Sequence, residues 1–396
     1  MKKILFISAI ILIVSVASCR QRNDDNNDFI TVDLMKSYSS KKELIIQDFM
    51  DVEYIPLETN NDFLNQGLVQ DIGEKFIIVK NRINDGDIFV YERTGKALRK
   101  INFKGQRNEH DEYSAIYNII LDEDNGEIFV NDIFLSKIFV YDLYGNFIRS
   151  FNHKEDKKSL FYTDIFIYDR DKLICYDIYN EDIAFVLISK KDGSRIKEIK
   201  IPYKNKKSLT KTLRDETTGT AFSFSPAGGQ PPIIPFNGNW LLWEISSDTM
   251  FTFLPDYSLH PFIVRNPSIQ TMDPEIMLLL IFHSNRYYFM QTIKNEFDFD
   301  TKRGHERTFF LYDTIEKAFF SYKAYNGDYS IKKEIYMPFL RLVNQEIAAW
   351  QPLESYQLLE DYNGGLLKDG KLKEIAKKLN EEDNPVIMLI KHKKVE

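Results

Sequence analysis

Ile88-Phe-Val-Tyr-Glu-Arg-Thr-Gly95-Lys-Ala-Leu-Arg-Lys-Ile-Asn102 aligns without a gap on Ile138-Phe-Val-Tyr-Asp-Leu-Tyr-Gly145-Asn-Phe-Ile-Arg-Ser-Phe-Asn152, fifty residues downstream, with seven of fifteen positions identical. A looser third copy runs from Val186 to Ile199 around Gly193. Each copy reads as a β-hairpin: an apolar run, then polar residues and a glycine able to take a positive φ, then a second strand. A further strand precedes each hairpin: Phe76-Ile-Ile-Val79, Glu127-Ile-Phe-Val-Asn-Asp132 and Lys172-Leu-Ile-Cys-Tyr-Asp177. A unit of strands recurring every forty-five to fifty residues is the length of one propeller blade. Stacked helix pairs are excluded, because the apolar residues alternate or cluster instead of recurring at three and four.

Past residue 200 the repeat decays, but its elements persist. Trp240–Ile245 with Met250–Phe253 predicts a fourth blade and Arg286–Thr292 with Thr308–Asp313 a fifth. Ile335–Trp350 and Pro385–Lys391 predict a sixth, with one amphipathic helix over Leu366–Leu379 inserted before its last strand. A ring must also close, and either Val52–Leu57 or Phe29–Leu34 is placed to complete the last blade from the N-terminal side. The expected fold is all-β: a six-bladed β-propeller of four-stranded antiparallel blades, one domain over residues 29–396, with one short helix near the C-terminus.

Composition agrees with a large folded core. Of 396 residues 43% are hydrophobic, with 30 Phe and 22 Tyr, far too aromatic for a disordered chain. A formal charge of −7 argues against nucleic acid, which rewards a basic stripe. Residues 1–18 read as an export signal: Lys2 and Lys3, then an apolar run from Ile4 to Val16 too short for a permanent span. Its end, Val16-Ala-Ser-Cys19, resembles a bacterial lipobox, which would make Cys19 the lipidated first residue and anchor the chain in the outer membrane. Removal of the two lysines leaves 50 basic against 59 acidic side chains, a charge of −9. Residues 19–28 are polar and read as a tether. Cys175, mid-strand among apolar neighbours, is expected to be buried and inert, so no disulfide forms.

These phrases, with Val52-Glu-Tyr-Ile-Pro-Leu-Glu-Thr59, Glu112-Tyr113, Asp248-Thr-Met-Phe251 and Asp383-Asn-Pro385, resemble the six-bladed β-propeller lipoproteins of Bacteroides-type bacteria, which are related to NHL-repeat propellers. The resemblance covers nearly the whole chain after the signal. It implies a fold and not a chemistry, since one scaffold hosts unrelated functions. Where that family tends to have a glycine-rich turn, this chain has the charged Gly105–Tyr113.

A propeller binds where loops from several blades converge. Three segments are candidates. Arg107, Glu109, His110, Asp111 and Glu112 form a polar wall or a solvated loop. Arg303 and His305, within Lys302–Arg307, suit an anionic ligand or simply shape a hairpin tip at Gly304. The Gly- and Pro-rich stretch Thr217–Asn239 is long for a structureless loop; its Phe222 and Phe224, with Trp240 and Trp243 following, offer aromatic platforms over the channel mouth, or else an interblade crossing with Trp240 in the core. The six histidines are dispersed, Asp122–Gly126 lacks the full ligand set of a calcium loop, and there is no nucleophile elbow or phosphate loop. Neither metal nor cofactor is therefore expected. The favoured reading is a lipid-anchored, monomeric binding module for a glycan, peptide or partner protein. The competing one is a polymer-degrading hydrolase or lyase with carboxylates converging in the channel, and a third is a structural subunit of a membrane complex.

Overall fold

The computed structural model describes residues 29–81, 85–105, 111–153, 162–178, 180–214, 216–226 and 231–393. They form six blades in chain order. Blade 1 is Leu68–Ile72, Phe76–Lys80, Ile88–Glu92 and Ala97–Ile101. Blade 2 is Asn118–Asp122, Glu127–Asp132, Lys137–Asp142 and Phe147–Asn152. Blade 3 is Asp164–Ile167, Lys172–Tyr176, Phe185–Ser189 and Arg195–Ile199. Blade 4 is Ile233–Phe236, Asn239–Leu242, Thr249–Phe253 and Leu259–Asn266. Blade 5 is Ile276–His283, Tyr287–Lys294, Arg307–Asp313 and Ala318–Asn326. Blade 6 is Arg341–Leu342, Ile347–Leu353, Val386–His392 and, from the N-terminal side, Met50–Pro56.

Each blade is buried on both faces, which explains the repeated Ile-Phe-Val-Tyr run. Alternate side chains point to opposite faces of a sheet: Ile88 and Val90 pack toward blade 2, Phe89 and Tyr91 toward blade 6. In blade 2, Ile138 and Val140 face blade 3 while Phe139 and Tyr141 face blade 1. Six apolar clusters result, one in each gap between neighbouring blades. Cys175 lies fully buried in the gap between blades 2 and 3, and burial pushes its thiol well up.

The hairpin glycines do what their position requires. Gly95, Gly145 and Gly193 have φ of 89°, 85° and 74°. Gly95 also admits the closing strand, since a Cβ there would stand 2.1 Å from the Pro56 carbonyl oxygen.

The N-terminal segment is a strap over three consecutive blades. Ile30–Asp33 pairs parallel with Ile263–Asn266 on the outer edge of blade 4, and Lys41–Ile45 pairs parallel with Ser321–Tyr325 on blade 5. Met50–Pro56 then pairs antiparallel with Val386–His392 and closes the ring. Of the two closing strands expected, Val52–Leu57 is the one that closes, as part of a strand that begins at Met50 and ends at Pro56, and Phe29–Leu34 covers a different blade. The C-terminal insertion holds two helices instead of one, Ser355–Asn363 and Lys371–Ala376. The expected span Leu366–Leu379 is cut short because Gly370, at φ 153°, starts the second helix late. Among the described residues no helix is long and apolar enough to cross a membrane.

The central channel as candidate functional site

The innermost strand of every blade begins at the same mouth of the channel. Asp71, near the end of the first inner strand, accepts the Leu121 amide near the end of the second at 2.9 Å. At the other mouth Lys80, opposite Leu68, reaches the Ile116 and Tyr117 carbonyls that precede the second inner strand. Six inner strands thus enclose a cavity of about 1300 Å³, with Val69, Ile120, Ile165, Pro232, Leu279 and Leu342 contributed one from each blade.

All three tryptophans of the chain, Trp240, Trp243 and Trp350, line this cavity. Trp243 is buried and its Nε1 donates to the Pro231 carbonyl at 3.1 Å. Trp240 is half-buried, with its ring centroid 5.9 Å from Phe166 and 6.4 Å from Tyr168 across the gap to blade 3.

The strand-start mouth carries Lys80, Asp164, Tyr176, Lys206 and Lys207. The Tyr176 hydroxyl donates to Glu244 at 2.8 Å and Lys206 to the same oxygen at 2.9 Å; burial and the Glu244 charge push the Tyr176 phenol well up. Lys207 pairs with Glu275 at 2.9 Å. Among the described residues Asp164 accepts from the neighbouring Thr163 hydroxyl alone, at 3.0 Å, and burial pushes its carboxyl up to about 6. Burial draws the Lys80 amine down to about 8.

The strand-end mouth is acidic and partly bridged. Glu123 accepts the amides of Glu74, Lys75 and Phe76 at 2.9, 2.9 and 3.0 Å, so that the second blade holds the first turn of its neighbour. Asp122 pairs with Lys190 at 2.8 Å, both buried. Asp71 is pushed up to about 6, burial outweighing its two backbone hydrogen bonds. Gln345 of blade 6 accepts from the Gly238 amide at 3.0 Å and donates to the Asn239 carbonyl at 2.7 Å, tying blade 6 to blade 4.

Of the residues singled out from the sequence, Trp240 and Trp243 stand in the wall. Phe222 and Phe224 do not. They belong to a two-stranded ribbon, Lys211–Arg214 with Ala221–Phe224, whose base at Thr210 and Ser225 lines the cavity. Phe222 is 61% exposed, and Phe224 stacks on Phe297 at 4.1 Å and on His305 at 5.6 Å. His305 and Arg303 sit at a second small ribbon, Phe297–Asp298 with Arg303–Gly304, away from the wall. Glu112 also stands outside the wall, beside Tyr113, whose buried hydroxyl donates to the Gly86 carbonyl. Arg107, His110 and Cys19 lie outside the described residues. Asp71, Lys80 and Asp164 were missed. Their signal was a lone charge inside an apolar strand, in Val69-Gln-Asp-Ile72, Ile77-Ile-Val-Lys80 and Asp164-Ile-Phe-Ile167. Among the described residues no three His, Cys, Asp or Glu side chains are grouped to hold a metal.

Over residues 29–391 the sequence matches the family model named domain of unknown function DUF4934. The chain belongs to that family. A solved protein of Bacteroides fragilis, described as exported, has a similar structure, with TM-score 0.56 and 14% identity over 92% of this chain and 100% of its own. A member of the DUF4221 family from Bacteroides vulgatus gives TM-score 0.46 and 11% identity over 87% and 98%. No curated protein matches the chain. At such identities the likeness concerns the fold, and like the DUF4934 assignment it leaves chemistry to the site.

Proposed function

We propose that the chain is a lipid-anchored binding protein of the bacterial envelope, held at the outer membrane through Cys19, that takes a glycan or peptide ligand into its central channel. The observation that carries this reading is the cavity of about 1300 Å³ with every tryptophan of the chain in its wall, since a large concave site with aromatic faces and a few polar groups is the usual form of a ligand pocket. The blades' kinship to NHL repeats belongs to the same reading. Titration with glycan and peptide panels should therefore quench or shift tryptophan fluorescence, and Trp240→Ala should weaken the response. A panel without any ligand would reject it. Replacement of Cys19 by Ala should move the protein from the membrane to the soluble fraction; retention in the membrane would reject the anchor.

A second reading, hydrolysis in the same channel, is favoured by Asp164, a wall carboxyl that burial pushes up to about 6, a range suited to proton transfer near neutral pH. Turnover of a bound polymer that disappears in Asp164→Asn while binding persists would select it over simple binding.

A further inference from the structure

Building on the channel as the ligand site, we propose that the ligand is an acidic oligosaccharide whose carboxylate is held by the Lys80 ammonium at the mouth where the inner strands begin. Lys80 is only 8% exposed, and its Nζ donates to the carbonyl oxygens of Ile116, at 2.8 Å, and Tyr117. An ammonium has three N–H donors, so one remains. Among the described residues no carboxylate pairs with it. A buried cation without a counter-ion is costly, and a ligand carboxylate entering the cavity supplies the missing anion through a charge-assisted hydrogen bond.

The charges of the wall give this anion one orientation. Its four basic residues, Lys80, Lys206, Lys207 and Arg341, all stand at the strand-start mouth. Lys206 and Lys207 are already paired with Glu244 and Glu275, which leaves Lys80 and the exposed Arg341 open, with Asp164 and Glu181 the acids of the same mouth. The opposite mouth carries Asp71, Glu74, Glu123, Asp124 and Glu346, with Asp122 already neutralised by Lys190, and among the described residues no basic side chain lines it. An acid group is repelled there and accepted at Lys80. The cavity volume exceeds the roughly 300–1000 Å³ typical of small-molecule sites, which fits an oligomer. The wall joins the half-buried Trp240 with the polar Gln70, Asn118, Thr163 and Ser208, a mixture of aromatic and hydrogen-bonding groups that suits a sugar ring.

The test titrates the full-length chain, in detergent, with tetragalacturonate and with its methyl ester, reading tryptophan fluorescence. The acid should bind at least about tenfold more tightly than the ester, Lys80→Met should abolish that preference while ester binding persists, and Arg341→Met should reduce it less. If Lys80→Met does not fold, the acid and ester compared on the unaltered chain decide alone. Equal affinity for acid and ester overturns the anionic class and leaves the channel reading intact. Binding of a peptide's C-terminal carboxylate but of neither sugar overturns the saccharide, and no response to any of these probes overturns the channel reading as well.

Discussion

Blades 1 to 3 and blades 4 to 6 reach the same architecture by different means. In the first three, the repeat is visible, the hairpins are local, and the outer strands Ala97–Ile101, Phe147–Asn152 and Arg195–Ile199 face solvent with charged or polar side chains at alternate or successive positions. Charged edge strands resist pairing with other chains. In the last three the repeat has decayed, and each outer edge is taken by the N-terminal strap. The strap brings its own electrostatics: Lys42 donates to Asp313, 271 residues away, at 2.7 Å, and Arg286 donates to the same carboxylate at 2.9 Å. Edges supplied by a distant segment relieve the local sequence of the need to repeat. The cost is that half of the ring depends on long-range closure.

The largest expected effect is at the closure itself. Ile55, buried between blades 6 and 1 on the closing strand, changed to Asp places an unpaired charge there and should cost about 4 kcal/mol or more, opening the ring between blades 6 and 1; protease cleavage within 57–68 under native conditions would report it. Next comes Phe89→Ala in the same gap, fully buried, at about 3–5 kcal/mol by chemical denaturation. Gly95→Ala should cost more than Gly126→Ala, although both have positive φ, because only at Gly95 does the closing strand stand in the way; a difference of about 1–2 kcal/mol is expected, and equal costs would mean that the strap yields at that point. The smallest effect is in pH dependence, and its sign separates the regions. Burial pushes Asp313 up, but hydrogen bonds from Arg286 and Lys42 outweigh it and hold the carboxyl well below its usual range, so its stabilisation is present above about pH 4 and lost below. Asp164, pushed up to about 6, acts oppositely: the folded state favours its protonated form, and stability falls as pH rises from about 4 to 6. Asp164→Asn should flatten that slope of Tm by about 2–4 °C, while Lys42→Met, by letting the Asp313 carboxyl rise toward its ordinary range, should lower stability at neutral pH and make its loss below about pH 4 shallower.

Legibility followed the same division. The Ile-Phe-Val-Tyr runs were readable because a strand buried on both faces has no polar alternative, and their glycines because the turn needs a positive φ. Lys41-Lys-Glu-Leu-Ile45 was unreadable as a strand. Three of its five residues are charged, as for a solvated loop, and its parallel partner lies far along the chain. The helix Ser355–Asn363 had a signal that went unused, with Leu358, Leu359 and Tyr362 at helical spacing. At the site, Trp240 and Trp243 were legible as aromatics beside an unusual loop, whereas Phe224 is held at a second ribbon by a stacking partner, Phe297, seventy-odd residues away, and Phe222 on the same strand stands exposed. Asp71, Lys80 and Asp164 look like ordinary strand charges until the ring closes around them.

The sequence alone therefore determined the blade: its length, its hairpin, its turn glycine and its doubly apolar strands, because these depend on local backbone sterics and on a two-residue periodicity. Only the tertiary structure decided which N-terminal strand closes the ring, which charges face the channel, and that the basic wall residues share one mouth. Those are properties of six inner strands brought side by side, and no local pattern records which neighbour a strand will meet across the axis.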